Sequence, residues 1–428
     1  MITSQQVIEL EKKYGAYNYH PLPVVLSRGK GVYMWDSEGK RYYDFLSAYS
    51  AVNQGHCHPK ITDALTQQGE TLTLTSRAFY NNRLGKFEEY LSEMFDFEKV
   101  LPMNSGAEAV ETALKLCRKW AYLKKGIPEK QAKIITCENN FHGRTTTIIS
   151  FSSDPNSRKD FGPFTPGFIE IPYNDLEALS GALEDEEVAG FLVEPIQGEA
   201  GVIVPDENYI REAARMCREN NVLMITDEIQ TGIARPGSLL AVCGNCTCKN
   251  HCERQKTYTR PDILVLGKAL SGGVYPVSAI LADAEIMDIL EPGQHGSTFG
   301  GNPLGAAVSM AALDVIYDEN LIQNARNMGK ILRAELHKLH DKSPLIREVR
   351  GKGLLNAIEI NDSPDSSTAW DICLALKEKG LLAKPTHGNI LRFAPPLVIT
   401  EEQLRECIEI ISETILSFKV KKEVIQKN

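Results

Sequence analysis

The chain lacks a long apolar run: no segment approaches the ~20 apolar residues of a membrane span. It opens MITSQQVIELEKKYG, without a basic start leading into an apolar stretch, so no signal peptide is expected. It lacks blocks of like charge. Forty-seven Lys and Arg are scattered among 56 Asp and Glu, for a net charge of −9. That argues against nucleic acid or an anionic membrane as the main partner. No internal repeat and no low-complexity linker divides it. Nor do its ten cysteines make a disulfide framework: six are spread through segments that read as core or helix. Scattered buried thiols are the pattern of a reducing compartment, and a cytoplasmic protein is expected.

What is present fits a soluble α/β enzyme. The 428 residues are enough for one large core and a second, smaller one. KIITC (133–137), GFLVEP (190–195), NVLMITDE (221–228) and DILVLGK (262–268) read as short buried strands. Helix-period stretches such as 105–122 and 208–220 lie between them. This alternation predicts a mostly parallel sheet. Toward the end, a long helical pattern over roughly 303–341 precedes strands in LIREVRGKGLLNAIEI, and two further helical stretches flank NILRFAPPLV. A smaller α+β domain is expected there, packing with the first ~45 residues, where GVYMWDSEGKRYYDF reads as a hairpin. The histidines of GHCHP (55–59) read as a turn into a helix before Pro59 rather than a metal pair.

The other four cysteines crowd into CGNCTCKNHCERQ (243–255). Cys243, Cys246, Cys248 and Cys252, with His251 as alternative ligand, could fill a tetrahedral zinc site with no open position. That is the structural rather than the catalytic pattern. An iron–sulfur cluster, free thiols and disulfides are the alternatives.

The chemistry points elsewhere. In LVLGKALSGGVYPVSAI an apolar strand runs into Gly267 and Lys268. A lysine at a buried strand end loses hydration, which lowers its pKa and makes it a usable amine nucleophile. Alone, the segment fits a surface lysine just past a strand end better than a nucleophile. MITDEIQTG adds Asp227 and Glu228 at the carboxyl end of another strand, where open α/β sheets bind ligands. MNSGAEAVETALKL opens a helix at Ser105, Gly106 and Ala107, whose free N–H groups suit a phosphate. NNFHGRT offers Phe141 to cover an aromatic ring. A lysine Schiff base, an aspartate at a pyridinium and a phosphate cradle together indicate pyridoxal 5'-phosphate.

With these segments on view, the chain resembles the class III ω-aminotransferases of fold type I. The likeness is carried by FLSAYSAVNQGHCHP, LTSRAFYNN, VEPIQGEAGV, DEIQTG, LGKALSGGVYPVSA, HGSTFGGNPLG and RGKGLLNAIEI. It implies a large pyridoxal-phosphate domain with a mostly parallel central sheet over 49–305. It also implies a small α+β domain from the N-terminal segment 1–48 and the C-terminal residues 306–428. Members close the connection after LLAV with few residues, so about 243–259 reads as an insertion. The resemblance makes Lys268 the Schiff-base lysine and proton carrier, and pairs Asp227 with the ring nitrogen. Gln230 would contact the phenolic oxygen, and Ser105, Gly106, Ala107 and Ser297 would join in cofactor binding. Thr298 would reach the phosphate of a neighbouring subunit, which makes a homodimer the minimum unit and leaves a higher assembly open.

The substrates implied are ornithine, reacting at its terminal amine, and 2-oxoglutarate, in a ping-pong cycle yielding glutamate 5-semialdehyde and glutamate. Arg144 would hold the ornithine α-carboxylate and then the distal carboxylate of the keto acid. Arg392 would hold the keto acid's α-carboxylate, and Glu199 would mask Arg392 during the ornithine half-reaction. Tyr19 and Tyr49 would contact the amino-acid head of ornithine. Other ω-amine donors (acetylornithine, 4-aminobutyrate, a diamine) are the alternatives inside the family. Outside it, the cysteine cluster would be the functional centre on a degenerate body, and the retention of Lys268, Asp227 and both arginines speaks against that.

Overall fold

The structure, a computed structural model, describes residues 2–243 and 259–419. Its centre is a seven-stranded sheet in the order Lys99–Met103, Ser278–Ala282, Ile263–Leu266, Leu223–Asp227, Val188–Val193, Lys133–Cys137, Phe168–Ile171. Ser278–Ala282 runs antiparallel to both neighbours, and the remaining pairs are parallel. Val188–Val193, Leu223–Asp227 and Ile263–Leu266 are buried along their whole length. Strands covered on both faces carry unbroken apolar runs, which is how they read in the sequence.

Helix Gly106–Trp120 starts from a capping box. Ser105 Oγ accepts from Glu108 N, and the Glu108 carboxylate accepts from Ser105 N. Its buried face, with Ala109, Val110, Ala113, Leu116 and Cys117, packs on the sheet. A Cβ on Gly190 would meet Cys117 Sγ at 2.6 Å, so this close docking requires glycine there. Helices Leu176–Leu183 and Tyr209–Glu219 cover another part of the sheet through a separate cluster around Phe191 and Met224.

The C-terminal part carries an antiparallel sheet in the order Ile346–Lys352, Leu355–Ile360, Ile390–Phe393, Lys384–Thr386, with helices Thr368–Glu378 and Glu401–Ser417. The expected hairpin forms from Tyr33–Asp36 and Arg41–Asp44. Leu381–Leu382 extends its sheet in parallel with Arg41–Asp44, which ties the beginning of the chain to its end. Arg235, fully buried, pins the same junction. Its guanidinium donates to Asn53 Oδ1, Leu354 O and Pro395 O.

Two expectations need correction. The helical pattern over 303–341 is two helices, Pro303–Asp318 and Leu321–His340, broken where Asn320 turns left-handed at φ 52°. Of the six cysteines outside the cluster, five are buried, but Cys57 is exposed in the turn before helix Pro59–Thr71. The flanking histidines serve distant carboxylates: His56 Nε2 lies 2.7 Å from Asp44 Oδ2, and His58 Nε2 lies 2.8 Å from Glu319 Oε1.

Candidate active site

Every wall of one cavity of about 200 Å³ comes from the carboxyl edge of the central sheet. Lys268 follows strand Ile263–Leu266, and Asp227 ends strand Leu223–Asp227. Glu194 follows Val188–Val193, Phe141 and His142 follow Lys133–Cys137, and Gly106 and Ala107 follow Lys99–Met103. The parallel strands thus deliver an amine, two carboxylates, an aromatic ring, an imidazole and a helix N-terminus to one place.

Lys268 sits at φ 42°, a left-handed conformation that costs a non-glycine residue about 1–2 kcal/mol. Burial lowers its pKa, against the opposing pull of Glu199 and Asp227. Asp227 Oδ2 lies 2.7 Å from His142 Nδ1, and Asp227 Oδ1 accepts from Ile229 N at 3.0 Å. The neighbouring Glu228 turns into the protein body, where it accepts from Val242 N at 2.9 Å and from the Thr231 hydroxyl at 2.5 Å. Glu194 is buried, and burial foremost pushes its carboxyl up to about 7. It accepts from the backbone N–H groups of Phe141 at 2.9 Å and Gly198 at 3.3 Å.

The set suits a flat, protonated nitrogen ring that bears an aldehyde and a phosphate. Asp227 offers a buried carboxylate to the ring nitrogen, and Lys268 an amine to the aldehyde. Gly106 and Ala107 line the cavity in the first turn of helix Gly106–Trp120, where N–H groups and the dipole favour an anion. The residues present therefore fit pyridoxal phosphate.

A second cavity of about 390 Å³ shares Phe141, His142 and Gly143 with the first. Tyr19, Tyr49, Arg144, Glu199, Lys384 and Arg392 are among its walls. Arg392 is buried, and its Nη1 donates to Glu199 Oε1 at 2.7 Å. The same Oε1 accepts from Gln230 Nε2 at 2.8 Å. Burial alone would raise the Glu199 carboxyl, but Arg392 and Gln230 hold it below its ordinary value. A Cβ on Gly198 would fall 1.6 Å from Gln230 Oε1, so this arrangement needs a glycine beside Glu199. The Tyr49 ring stacks over Arg392, with Cζ 4.9 Å from the ring centroid. Arg144 lies near the Phe141 ring, with Cζ 5.8 Å from its centroid. Among the described residues Arg392 hydrogen-bonds through Nη1 only, and its buried Nε has no partner.

Of the residues picked from the sequence, Lys268, Asp227, Phe141, Gly106, Ala107 and Gln230 meet at the first cavity. Tyr19, Tyr49, Arg144, Glu199 and Arg392 meet at the second. Ser105 acts as the helix cap and does not line the first cavity. Ser297 accepts from Asn104 Nδ2 at 2.8 Å, Thr298 is exposed, and neither lines the two cavities. Cys246, Cys248, Cys252 and His251 lie outside the described residues, as does the Cys243 side chain. Among the described residues no cluster of three or more metal-ligating side chains occurs. Sequence reasoning missed His142, Glu194 and Lys384. His142 stands next to Phe141 in NNFHGRT, and Glu194 is the second residue of VEPIQGEAG. For Glu194 the available signal was a carboxylate directly after an apolar strand, and for His142 its place beside Phe141.

The aminotransferase class-III family matches residues 14–415. The chain is 58% identical over 416 residues to the mitochondrial ornithine aminotransferase of Rattus norvegicus, covering 97% of this chain and 91% of the relative. It is 59% identical over 414 residues to that of Drosophila ananassae, covering 97% and 92%. Among solved structures it is similar to an acetylornithine aminotransferase from Elizabethkingia anophelis, at TM-score 0.87 and 60% identity over 98% of this chain and 100% of the other. It is also similar to the ornithine aminotransferase of Toxoplasma gondii crystallised with oxidised glutathione, whose active site holds partially occupied PLP. That match has TM-score 0.92 and 48% identity over 97% and 94% of the two chains. The cytoplasmic expectation is overturned by these relatives. The rat, Drosophila ananassae and Caenorhabditis elegans proteins are all named as mitochondrial, and scattered buried thiols do not distinguish the two reducing compartments.

Proposed function

Since the chain belongs to the class-III aminotransferase family and is a pyridoxal-phosphate-dependent aminotransferase, we propose that its amine donor is ornithine, taken at the terminal amine. The acceptor in this reading is 2-oxoglutarate, and the products are glutamate 5-semialdehyde and glutamate. The observation that carries it is the 2.7 Å pair of Glu199 and Arg392. An enzyme that takes a terminal amine from one substrate and returns an amine to the α-carbon of another must hide its α-carboxylate site in one half-reaction. It must then expose that site in the other.

When bound, pyridoxal phosphate supplies a carbonyl that condenses with the donor amine and a ring that takes up the electrons left as the carbon loses its proton. Lys268, its pKa lowered by burial, is the base that takes that proton and returns it. Asp227, oriented by His142, would hold the proton on the ring nitrogen. The backbone of Gly106 and Ala107 would hold the phosphate, with Ser105 and Ser297 supporting that wall. Phe141 would cover a ring face, and Gln230, which bonds Glu199, would contact the phenolic oxygen. Arg144 takes the ornithine α-carboxylate, with Tyr19 and Tyr49 at the amino-acid head. In the second half-reaction Arg392 takes the keto acid's α-carboxylate with the bidentate geometry that guanidinium favours.

Thr298 serves the phosphate of a second subunit, which makes a homodimer the working unit; its exposure in the single chain is compatible with that role. We also retain the zinc clip at Cys243, Cys246, Cys248 and Cys252 as a proposal from spacing alone. A second reading, acetylornithine as donor, is favoured by the 60% identity to the Elizabethkingia anophelis structure. A panel of ornithine, acetylornithine, 4-aminobutyrate and diamines with 2-oxoglutarate tests the choice: faster turnover of any donor other than ornithine would overturn it. Borohydride reduction of the holoenzyme and peptide mapping must find the pyridoxyl label at Lys268.

A further inference from the structure

Arg392 shares its sheet face with a second cation. Lys384 and Arg392 are direct register partners between the antiparallel strands Lys384–Thr386 and Ile390–Phe393. Residues opposed in this way send their side chains to the same face, and both line the 390 Å³ cavity. Like charges placed directly opposite destabilise a sheet. Such a pair persists where a negative group serves both.

The negative group at hand is Glu199. Its carboxylate engages Arg392 and Gln230 through a single oxygen, Oε1. The Thr386 hydroxyl, two residues along from Lys384, donates to Glu199 O at 2.9 Å, which hooks the lysine's strand to the backbone of Glu199. Lys384 Nζ stands 5.9 Å from the centre of the Tyr19 ring, and both residues line the same cavity. Lys384 is half-buried and, among the described residues, makes no ion pair. Burial depresses its pKa, while Glu199 acts on it in the opposite sense.

The proposed reaction makes Glu199 give up Arg392 whenever the acceptor's α-carboxylate arrives. The Glu199 side chain is only 22% exposed, so a displaced carboxylate does not simply pass into water. Stranding a half-buried charge without a partner is costly, whereas passing it from one cation to another keeps the two states close in free energy. We propose that Lys384 is the second station of Glu199: the carboxylate pairs with Arg392 while the donor reacts, and turns to Lys384 when the acceptor takes Arg392. This rests on the ornithine and 2-oxoglutarate reading above and adds the residue that lets the mask open. Lys384 is a positioning residue, acting on the acceptor through Glu199.

The test uses the holoenzyme and the variants Lys384→Met and Lys384→Arg, with each half-reaction followed separately. Lys384→Met should raise the KM for 2-oxoglutarate about tenfold, with kcat changed far less and the ornithine half-reaction shifted by less than about twofold. Binding of glutarate, an unreactive dicarboxylate, should weaken in parallel by calorimetry, and Lys384→Arg should restore both. In a Glu199→Gln background, Lys384→Met should have no further effect, because no carboxylate remains to hand over. Equal losses in both half-reactions would make Lys384 merely structural and overturn the proposal. A tenfold loss that persists beside Glu199→Gln would mean that the lysine binds the acceptor itself, and would overturn it too. If the wild type converts ornithine and Lys384→Met matches it throughout, the handover alone fails. If the wild type does not use ornithine, the functional reading fails, and the glutarate titrations still decide the handover.

Discussion

His142 Nδ1 lies 2.7 Å from Asp227 Oδ2, with the buried imidazole and the carboxylate side by side on the wall of one cavity. Asp227 therefore reaches the cavity already oriented by two partners, His142 and Ile229 N. A hydrogen bond to a charged group is worth about 1.5–3 kcal/mol, so His142→Phe should lower kcat by about 10- to 100-fold. His142→Asn, which retains a donor, should recover part of that loss. A kcat for His142→Phe within a factor of two of wild type would remove His142 from the mechanism.

The same pair has a pH signature. Burial would lower the His142 pKa, but Asp227 outweighs it and the net shift is upward. A group raised in the folded state contributes stability that is fully present below its ordinary value of about 6.5 and lost as pH rises through the raised one. Wild-type stability should thus decline from neutral toward alkaline pH more steeply than that of His142→Phe. Parallel denaturation midpoints across that range would count against an ionised pair.

Much of this site was legible because its residues are attached to strand ends. Lys268 and Asp227 each follow an apolar run whose burial is complete, and such runs stand out in the sequence. Strand Ser278–Ala282 was not read: it is five residues long and follows the glycine-rich turn of LSGGVYP, which carries no periodicity. The break between Pro303–Asp318 and Leu321–His340 was hidden for another reason. Val315 and Ile316 before it and Leu321 and Ile322 after it are all buried, so the apolar pattern does not lapse. Asn320 alone marks it, as a residue that tolerates the left-handed region. Lys384 was illegible because its meaning lies in its cross-strand register with Arg392, which no local pattern encodes.

Glu199 and Arg392 make opposite predictions for the two half-reactions. Glu199→Ala should leave Arg392 open to any α-carboxylate, so the ratio of glutamate α-amine to ornithine terminal-amine transfer should rise. An unchanged donor ratio would sink the masking role. Arg392→Ala should raise the KM for 2-oxoglutarate by at least about 30-fold, the scale of losing one partner of a buried charge pair, and hurt ornithine less. The Glu199 carboxyl is held below its ordinary value, so its contribution is present above the normal carboxylate range. It fades only as pH falls through the lowered value, and donor selectivity should therefore persist into mildly acidic solution.

The cysteine-rich stretch offers a test by metal content. Four ligands filling a tetrahedral site leave no open position for chemistry. Protein purified without chelator should carry about one zinc per chain if the clip forms. Cys246→Ser with Cys248→Ser should then lower thermal stability while transamination continues. Elemental analysis without stoichiometric zinc or iron would end the idea. Loss of turnover in an intact, cofactor-loaded variant would instead bring the cluster into the reaction.

Ser47, Ala48, Tyr49 and Ser50 follow one another with φ of 49°, 46°, 60° and 71°, a left-handed turn made without glycine. Each such residue costs about 1–2 kcal/mol, and left-handed residues ordinarily occur singly. The turn is held from outside. Asp44 Oδ1 accepts from the N–H groups of Leu46 and Ser47 at 2.8 Å, and Ser47 Oγ donates to Ala394 O at 2.7 Å. What it achieves is the position of the Tyr49 ring over Arg392. Strain retained at a binding wall indicates that geometry there outweighs stability. Ala48→Gly removes the steric cost at an exposed position but enlarges the unfolded ensemble by about 0.4–1 kcal/mol. The folded-state relief should exceed that penalty, so stability should rise by up to about 1 kcal/mol. The loosened backbone should let Tyr49 wander, raising the KM for ornithine severalfold with little change in the visible absorbance of the bound cofactor. A variant both less stable and unchanged in KM would mean that the turn is relaxed as it stands and does not steer Tyr49.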